Sequence, residues 1–533
     1  MDASRDRGGS FSAMSAPTAR RPAGPREPAP RRRRRVRPLV DAFVAAALAL
    51  AAYAAFDGHA FLNYDSAYAL VWGDDLASGR MPRYDVPVAP TPHPLATAVG
   101  VALAPLGSAA EGVFLAFVLL GLGALGVGLL RLGEALYAWP VGLLAAAIVL
   151  TRQPILNYGI RGYVDLPALA LVVWAAVLEA RRARAGAPVL LLLALAGLLR
   201  PEAWLFAAVY WLSIFPPLTW PQRAGLGGLA LAAPALWAVG DLLVTGDPLW
   251  SLEGTSALAA ELERPTGLLA LPGVVPYRLG EILRLPELVA AVLGFAAALV
   301  WLRRRTVLPA ALALLNGIAF VAFAVAGLPL LGRYLFLAAA MLGLFAAVAA
   351  LGFTALPGTA ARPVRRAWTV GGLAVLTGLL AFLPAQLGRL AELRADIAAR
   401  DRVQDDLHAL VEHPAVARTV ARCRPLFVPN HRNVPGLALR TGLRPSEIVS
   451  AQLERPTPGG LFLAPASARV EELSILDPND PRRLDAAPPR AYRPIARNRS
   501  WLFLGSAACR TAGSASSVSH GSTGDQADSL AGR

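Results

Sequence analysis

Residues 31–56 read RRRRRVRPLVDAFVAAALALAAYAAF, a run of arginines followed by an apolar stretch. The apolar part, near 38–56, is long enough to cross a bilayer core of about 30 Å as a helix. Similar stretches follow near 110–130, 135–151, 164–179, 187–199, 203–216, 226–244, 286–302, 307–327, 333–353 and 367–386. These later spans favour an uncleaved signal-anchor over a signal peptide for the first stretch. The sequence therefore predicts an all-α polytopic membrane protein of about eleven transmembrane helices.

The composition excludes several other classes of protein. The 533 residues are 55% hydrophobic and 16% charged, whereas soluble domains carry about 25% charged residues and disordered chains are poor in hydrophobic ones. More than half of the net charge of +15 comes from the first 40 residues, which hold eleven arginines and three acidic residues. Because no aromatic residue is interleaved between Arg20 and Arg35, nucleic-acid binding is disfavoured.

The arginine-rich arm, residues 1–37, is predicted to be disordered and cytoplasmic. It is either a topogenic signal or a patch that binds anionic lipid headgroups. Arginines recur in alternate connections between spans, at Arg181, Arg182 and Arg184, at 303–305, and at Arg362, Arg365 and Arg366. Since cytoplasmic connections carry an excess of basic residues, this pattern predicts a cell-membrane protein with a cytoplasmic N-terminus and an external C-terminus.

The chain after residue 386 has a different pattern. Residues 387–509 are predicted to form a small external α/β domain, and the Ser/Gly/Ala-rich residues 510–533 a disordered tail. Apolar positions at helical spacing predict a first helix, at Leu390, Leu393, Ile397, Val403, Leu407 and Leu410. The helix should end near Pro414, and the short apolar runs 426–428 and 461–463 predict strands.

The cysteines, Cys423 and Cys509, both lie in this region. On the oxidising external side a disulfide becomes possible, and two free thiols are the alternative. The spacing matches neither CxxC nor a metal-ligand motif, so a zinc or redox site is not expected.

Charged residues near spans concentrate on the predicted external side, beginning with the first loop. Residues 63–68 read NYDSAY, and the apolar spacing that follows predicts a helix over 66–78 lying along the membrane surface. Asp65 would lie just before or at its N-cap. Its carboxylate therefore either caps the helix or, rimmed by Tyr64 and Tyr68, acts as a general base.

Three further clusters lie on the same side: residues 161–167 read RGYVDLP, 200–204 read RPEAW and 332–334 read GRY. Arg161 and Asp165 have the spacing of a helical salt bridge, which is the structural alternative for that pair. The three arginines of these clusters, Arg161, Arg200 and Arg333, are candidates for binding phosphate, because a guanidinium group makes paired hydrogen bonds to it.

Two more loops are candidates for substrate contact. His93, in the run TPHP at 91–94, either contacts donor or acceptor or belongs to a rigid proline-flanked loop. The external loop 246–285 carries Asp247, Glu253 and Arg264, and it is a candidate cover for the site.

The clusters YDSAY, RGYVDLP, RPEAW and GRY, with Gly79 and Pro82, resemble the integral-membrane C-type glycosyltransferases. This family includes protein O-mannosyltransferases, aminoarabinose transferases and polyprenyl-phosphate-sugar-dependent enzymes of actinobacteria. The likeness spans residues 38–386, which the resemblance implies are a transmembrane catalytic domain.

The resemblance implies an inverting transfer of a sugar, such as mannose, from a polyprenyl-phosphate donor to an acceptor hydroxyl on the external membrane face. Asp65 matches the catalytic base of the family, and Asp165 matches the acidic position that supports the acceptor or the base. Arg161, Arg200 and Arg333 would hold the donor phosphate. The remaining candidates for substrate contact are Tyr64, Tyr68, His93, Glu202 and Tyr334.

The resemblance leaves the acceptor open between lipid, glycan and protein. Ser66 stands where protein O-mannosyltransferases usually carry a second acidic residue, which weakens the case for a protein acceptor. A divalent cation is also left open, because some relatives hold one with carboxylates and others use none.

Two alternatives come from other functional classes. A transporter or flippase of a lipid-linked saccharide should place charges at mid-membrane on broken helices, and no internal repeat supports it. A non-catalytic membrane scaffold predicts that Asp65, Arg200 and Arg333 are all dispensable.

Overall fold

The computed structural model describes residues 31–474 and 488–509 of the chain. The predicted tail 510–533 and residues 1–30 of the predicted arm lie outside this part. Within it the first helix begins at Arg31, ahead of the apolar stretch that starts near residue 38.

Helices make up most of the described chain, and their bounds are as follows. The α-helices are α1 Arg31–Ala55, α2 Tyr64–Ala77, α3 Pro94–Leu103, α4 Ala110–Leu136, α5 Trp139–Leu150, α6 Gln153–Ile160, α7 Asp165–Arg181, α8 Ala187–Gly197, α9 Glu202–Ile214, α10 Trp220–Thr245, α11 Trp250–Glu261, α12 Leu271–Trp301, α13 Arg303–Val325, α14 Phe336–Leu351, α15 Arg362–Ala381, α16 Leu383–Glu412, α17 Pro414–Arg422, α18 Val434–Thr441 and α19 Ala468–Ser474. Short 3-10 helices lie at Ala104–Ala109, Leu268–Ala270, Gly332–Leu335, Gly352–Ala355, His431–Asn433 and Pro445–Glu447.

Each of the eleven apolar stretches coincides with a helix, but fewer helices are long enough to cross a membrane. Length and composition qualify seven spans among the described residues, or eight if α5 and α6, bent by 68° at their junction, count as one. The helices α8 and α9 have 11 and 13 residues, about 16–20 Å at 1.5 Å per residue. The predicted helical polytopic membrane architecture is confirmed, and α8 and α9 are each too short to span about 30 Å. The chain is a multi-pass membrane protein.

Helix α14 forms the centre of the helical part. Nearly all of its residues are buried, and it packs against α12 and α5. Small residues allow this close packing: a Cβ atom at Gly294 of α12 would lie 1.8 Å from the Phe345 carbonyl oxygen. Membrane helices approach closely where such residues face each other, and α12 and α14 are packed in this way.

The helix predicted over 66–78 is α2, and its position differs from the prediction. Its residues from Ser66 to Gly73 are buried, where a helix along the membrane surface was expected. A Cβ atom at Gly73 would lie 2.4 Å from the backbone of Gly100 in α3. The apolar residues of α2 are therefore buried by other parts of the protein and not by the membrane surface.

The C-terminal region, residues 387–509, contains a five-stranded sheet. Its strands are β1 Leu426–Val428, β2 Ile448–Ser450, β3 Leu461–Pro465, β4 Arg493–Arg497 and β5 Trp501–Gly505. Their order is β2-β1-β3-β5-β4; β1 is parallel to β2 and β3, whereas β5 is antiparallel to β3 and β4. The predicted strands 426–428 and 461–463 are confirmed, and α16 ends at Glu412, just before Pro414.

A disulfide joins Cys423 and Cys509, with Cα atoms 5.6 Å apart. It connects the end of α17 to the segment after β5. Of the two alternatives for these cysteines, the structure therefore has the bonded one.

The C-terminal region shares a hydrophobic core with α2. Tyr64, Tyr68 and Trp72 of α2 pack in one buried cluster with residues of this region such as Val428 and Leu437. Since this core is built from both parts of the chain, the C-terminal region is held directly against the first loop.

Candidate active site

A cavity of about 620 Å³ lies where α2, the α6–α7 and α8–α9 connections, α10, α11 and residues 332–334 meet. Most of the predicted site residues line it: Tyr64, Asp65, His93, Arg161, Arg200, Arg333 and Tyr334. Tyr68, Asp165 and Glu202 do not line it and lie behind residues that do. The structure thus brings together four sequence clusters that are separated by up to 268 positions.

Asp65 is the carboxylate of α2 that faces this cavity. The N-cap of α2 is Asn63, whose side chain accepts hydrogen bonds from the Asp65 and Ser66 amides at 2.8 and 3.2 Å. Because Asn63 caps the helix, the Asp65 carboxylate is available for other contacts. It lies 3.2 Å from Nη1 of Arg333.

The charge state of Asp65 follows from its surroundings. Burial raises the pKa of this carboxyl group, but the positive charge of Arg333, with a smaller contribution from Arg432, lowers it by more, so the net pKa is below its ordinary value. An opposite charge within about 4–6 Å favours the ionised form in this way. Asp65 is therefore a carboxylate at neutral pH, able to accept a proton.

Asp165, the first residue of α7, lies behind two arginines. Only 5% of its side chain is exposed, and its Oδ1 is 3.4 Å from Nη1 of Arg200 and 3.9 Å from Nε of Arg333. Among the described residues its ion pairs are with these two arginines and not with Arg161, so the helical salt bridge to Arg161 is not formed. Asp165 thus fixes the two guanidinium groups that reach the cavity.

Arg200 is fixed from three directions. Besides Asp165, Oε1 of Glu202 accepts hydrogen bonds from its Nε and Nη2 at 3.2 and 3.0 Å. Its guanidinium carbon lies 4.5 Å from the ring centroid of Tyr334, a cation–π distance. Burial lowers the pKa of Arg200, but the carboxylates of Asp165 and Glu202 raise it above its ordinary value. Arg200 is a permanent cation held in one orientation.

Arg161 is held mainly by aromatic rings. Its guanidinium carbon lies 5.3 Å from the ring of Tyr163 and 5.9 Å from that of Phe61, and its Nη2 donates to the Tyr163 hydroxyl at 3.3 Å. The ring of Tyr163 also lies 5.7 Å from the guanidinium carbon of Arg333. One tyrosine therefore positions two of the three predicted phosphate-binding arginines.

His93 is buried directly before α3 and lines the cavity. Its ring meets Trp237 edge-on at 5.8 Å, and its Nδ1 has no hydrogen-bond partner within the described structure. Burial, with a contribution from Arg200, lowers the pKa of His93 from 6.5 to about 4. The imidazole is therefore neutral at pH 7 and can exchange hydrogen bonds with a ligand in the cavity.

The two tyrosines of α2 have different positions. Tyr64 lines the cavity and donates a hydrogen bond from its hydroxyl to the Val88 carbonyl at 3.0 Å. Tyr68 is 1% exposed and packs between Tyr64 and Trp72, with ring centroids at 5.0 and 5.1 Å. Tyr68 supports Tyr64 from behind and has no surface on the cavity.

Several lining residues were not found from the sequence. Arg278, Arg432, His431 and Asp241 line the cavity, as does Arg264 of the predicted cover loop, whereas Asp247 and Glu253 of that loop do not. Asp241 accepts hydrogen bonds from the Ser251 amide and hydroxyl at 2.9 and 2.7 Å and so attaches α11 to α10. Arg278 lies in the loop 246–285, which the sequence indicated as a candidate cover without pointing to this residue. The segment around Arg432 matches no motif.

The cavity lining combines arginine residues with apolar residues. Six arginines line the cavity against the carboxylates of Asp65 and Asp241: Arg161, Arg200, Arg264, Arg278, Arg333 and Arg432. Apolar lining residues are Trp204, Trp237, Leu258, Leu262, Phe323 and Leu328. Such a cavity suits an anionic group attached to an apolar chain, with a carboxylate beside it. Among the described residues, no group of three or more His, Cys, Asp or Glu is placed to hold a metal ion.

No protein-family model and no curated protein matches the chain. Among solved structures, the crystal structure of ArnT from Cupriavidus metallidurans bound to undecaprenyl phosphate is similar, with 14% sequence identity and a TM-score of 0.49. The overlap covers 87% of this chain and 97% of that chain. At these values the likeness assigns no function to this chain.

Proposed function

We propose that the protein is a membrane glycosyltransferase that moves a sugar from a polyprenyl-phosphate donor to an acceptor hydroxyl on the external membrane face, with inversion. The observation that carries this proposal is the position of the Asp65 carboxyl group, 3.2 Å from Arg333, on the wall of a cavity lined by six arginines. A base beside a cationic anion-binding surface is the arrangement that this transfer requires. The likeness of the sequence clusters to C-type glycosyltransferases supports the same reaction.

In the proposed mechanism Asp65 removes the proton of the acceptor hydroxyl. The hydroxyl oxygen attacks the anomeric carbon, and the bond from that carbon to the phosphate oxygen breaks. The electron pair leaves with the polyprenyl phosphate, whose developing charge is stabilised by Arg200 and Arg333, with Arg161 nearby. Such charge stabilisation is often the largest catalytic contribution.

Two carboxylates act through the arginines in this mechanism. Asp165 and Glu202 contact Arg200, and Asp165 also approaches Arg333. Because Asp165 does not line the cavity, it positions the phosphate-binding groups instead of taking the proton. The apolar lining residues, with Trp204 and Trp237 among them, would contact the first prenyl units.

A divalent cation does not fit these carboxylates. Asp65 and Asp165 are both paired with arginines, and the described part of the chain offers no cluster of three or more ligating side chains. No step of the mechanism is therefore derived through a metal.

The proposal is tested by sugar transfer from labelled polyprenyl-phosphate-mannose in membranes that contain the protein or its Asp65→Asn variant. Removing a general base should lower the rate by roughly 10²–10⁴-fold. The matched control is Asp74→Asn, which changes an exposed carboxylate on the same helix, paired with Arg80, and should leave the rate unchanged. Equal transfer by wild type and Asp65→Asn would remove Asp65 from the mechanism. Transport of the lipid-linked sugar without transfer would instead support a flippase.

A further inference from the structure

The C-terminal region supplies part of the cavity wall. Strand β1 ends at Val428, and the segment that follows it places His431 and Arg432 on the lining. In parallel sheets, ligand-contacting groups commonly follow the carboxyl ends of strands. The strand β1 is parallel to both of its neighbours, so its carboxyl end is the edge of the sheet that reaches the site.

This segment is held rigidly. Asn430 is 2% exposed, and its side-chain oxygen accepts a hydrogen bond from the Arg432 amide at 2.9 Å. Nδ1 of the buried His431 lies 3.3 Å from Oε1 of Gln452, on the segment after β2. The backbone of Arg432 is therefore positioned by side chains of the C-terminal region itself.

Tyr64 is the point at which this segment meets α2. The guanidinium carbon of Arg432 lies 5.2 Å from the centroid of the Tyr64 ring, and the His431 ring meets the same ring edge-on at 5.4 Å. Tyr64 directly precedes Asp65 in the chain. Tyr64 and Arg432 also line a second cavity of about 220 Å³, so the pair forms the wall between this cavity and the candidate active site.

We propose that Arg432 is a positioning residue of the active site, contributed by the C-terminal region, which fixes Tyr64 and places a positive charge on the cavity wall that Asp65 also lines. The proposal rests on the glycosyltransferase function proposed above. It makes the C-terminal region a working part of the catalytic site and not a separate binding module.

The electrostatic consequence has a definite sign. The charged or titratable groups that face Asp65 are Arg333, His93, Arg432 and the hydroxyl of Tyr64. The positive charge of Arg432 lowers the pKa of Asp65, so its removal raises that pKa. A base with a higher pKa is protonated earlier as the pH falls, and the acidic limb of the activity profile moves to higher pH.

The test compares Arg432→Gln, which removes the charge, with Arg432→Lys, which keeps it. In Arg432→Gln we expect the acidic limb of the kcat/KM profile to move to higher pH, as for the loss of an opposite charge near a carboxylate. Arg432→Lys should retain the wild-type limb. The matched control is Arg440→Gln. Arg440 joins the same region to Glu111 of α4 at 2.9 Å and does not line the catalytic cavity.

If Arg432 had only a structural role, the acidic limb would shift in Arg432→Lys and in Arg440→Gln as well. If Arg440→Gln shifts the limb as much as Arg432→Gln does, the effect is loss of docking and the proposal is wrong. An unchanged limb in Arg432→Gln would also overturn it. Should Arg432→Gln fail to fold, a shifted limb in Arg432→Lys would contradict the proposal on its own.

A second readout does not depend on turnover. Carbodiimides react with protonated carboxyl groups, so the pH at which Asp65 becomes labelled, measured by mass spectrometry of the full-length protein in detergent, reports its ionisation. Labelling should begin at higher pH in Arg432→Gln than in wild type. If the wild type transfers no sugar and this shift is present, the proposed function fails but the coupling of Arg432 to Asp65 stands. The absence of a shift contradicts the coupling whatever the activity.

Discussion

Among the buried groups of acidic and arginine residues in the described helical part, two have different surroundings. Arg152, at the bend between α5 and α6, pairs with Glu287 of α12 at 2.5 Å, and neither residue lines the cavity of the candidate active site. In the other group, Asp65 and Arg333 line the cavity while Asp165 supports them from behind. Charge burial alone therefore does not mark a site. The distinguishing property is that both partners of the Asp65–Arg333 pair line a cavity with an excess of positive charge.

The pair of Arg152 and Glu287 has a structural explanation. It joins the bent helices α5 and α6 to α12, and the carbonyl of the neighbouring Thr151 accepts a hydrogen bond from the Gln386 side chain at 2.6 Å. A buried charge without its partner is costly. This pair should therefore matter for stability and the cavity group for activity.

The largest expected effect is on stability. Glu287→Ala leaves the buried guanidinium of Arg152 without its carboxylate, and it should lower the free energy of unfolding by about 3–5 kcal/mol. Thermal unfolding in detergent measures this change. Sugar transfer per folded molecule should stay close to wild type. A loss of transfer without a loss of stability would contradict the distinction between the two groups.

Arg333→Ala should mainly affect activity. It removes the partner of Asp65, which is also a cation proposed to face the leaving phosphate, and transfer per folded molecule should fall by roughly 10²–10³-fold, as for other lost transition-state donors. Arg333→Lys keeps the positive charge but loses the planar guanidinium group. Its transfer rate should lie between those of wild type and Arg333→Ala. Activity that survives in Arg333→Ala would show that the cavity group is structural, like that of Arg152.

The stability of the folded protein should also depend on pH, because His93 in the candidate site is buried. Its folded pKa is about 4 against 6.5 for the free side chain, so the unfolded chain binds the proton first. Stability from this group is complete above pH 6.5 and is lost as the pH falls toward 4. Unfolding temperatures at pH 7.5 and 5 should differ less in His93→Gln than in wild type, and an equal difference would contradict the buried neutral imidazole.

The smallest effect is expected at the surface of α2. Asp74 and Arg80 form an exposed pair at 3.2 Å, and such pairs contribute at most about 1 kcal/mol. Asp74→Asn should therefore leave both the unfolding temperature and transfer nearly unchanged. A large change in either would mean that exposure does not separate structural from functional charges here.

Much of the architecture was predictable from local patterns. The apolar stretches all lie in helices, and the strands around Phe427 and Phe462 and the end of α16 before Pro414 are where the sequence predicts them. The stretches 187–199 and 203–216 were already separate in the sequence, and they form the short helices α8 and α9, of 11 and 13 residues, on either side of a turn at Arg200. The burial of α2 also depends on partners that are distant in the chain.

The candidate site divides in the same way. The sequence by itself determined which residue types are available, because charges beside apolar spans are costly and therefore conspicuous: Asp65, Arg161, Arg200 and Arg333 were all found in this manner. Only the tertiary structure decided their roles. Whether Asp165 faces a substrate or two arginines depends on how α7, α8 and the segment before α14 pack. The arrival of Arg432 beside Tyr64 depends on a sheet that begins more than 350 residues later. Local apolar patterns predict which segments are buried. The direction in which a side chain points, where segments distant in the chain meet, is decided by how those segments pack.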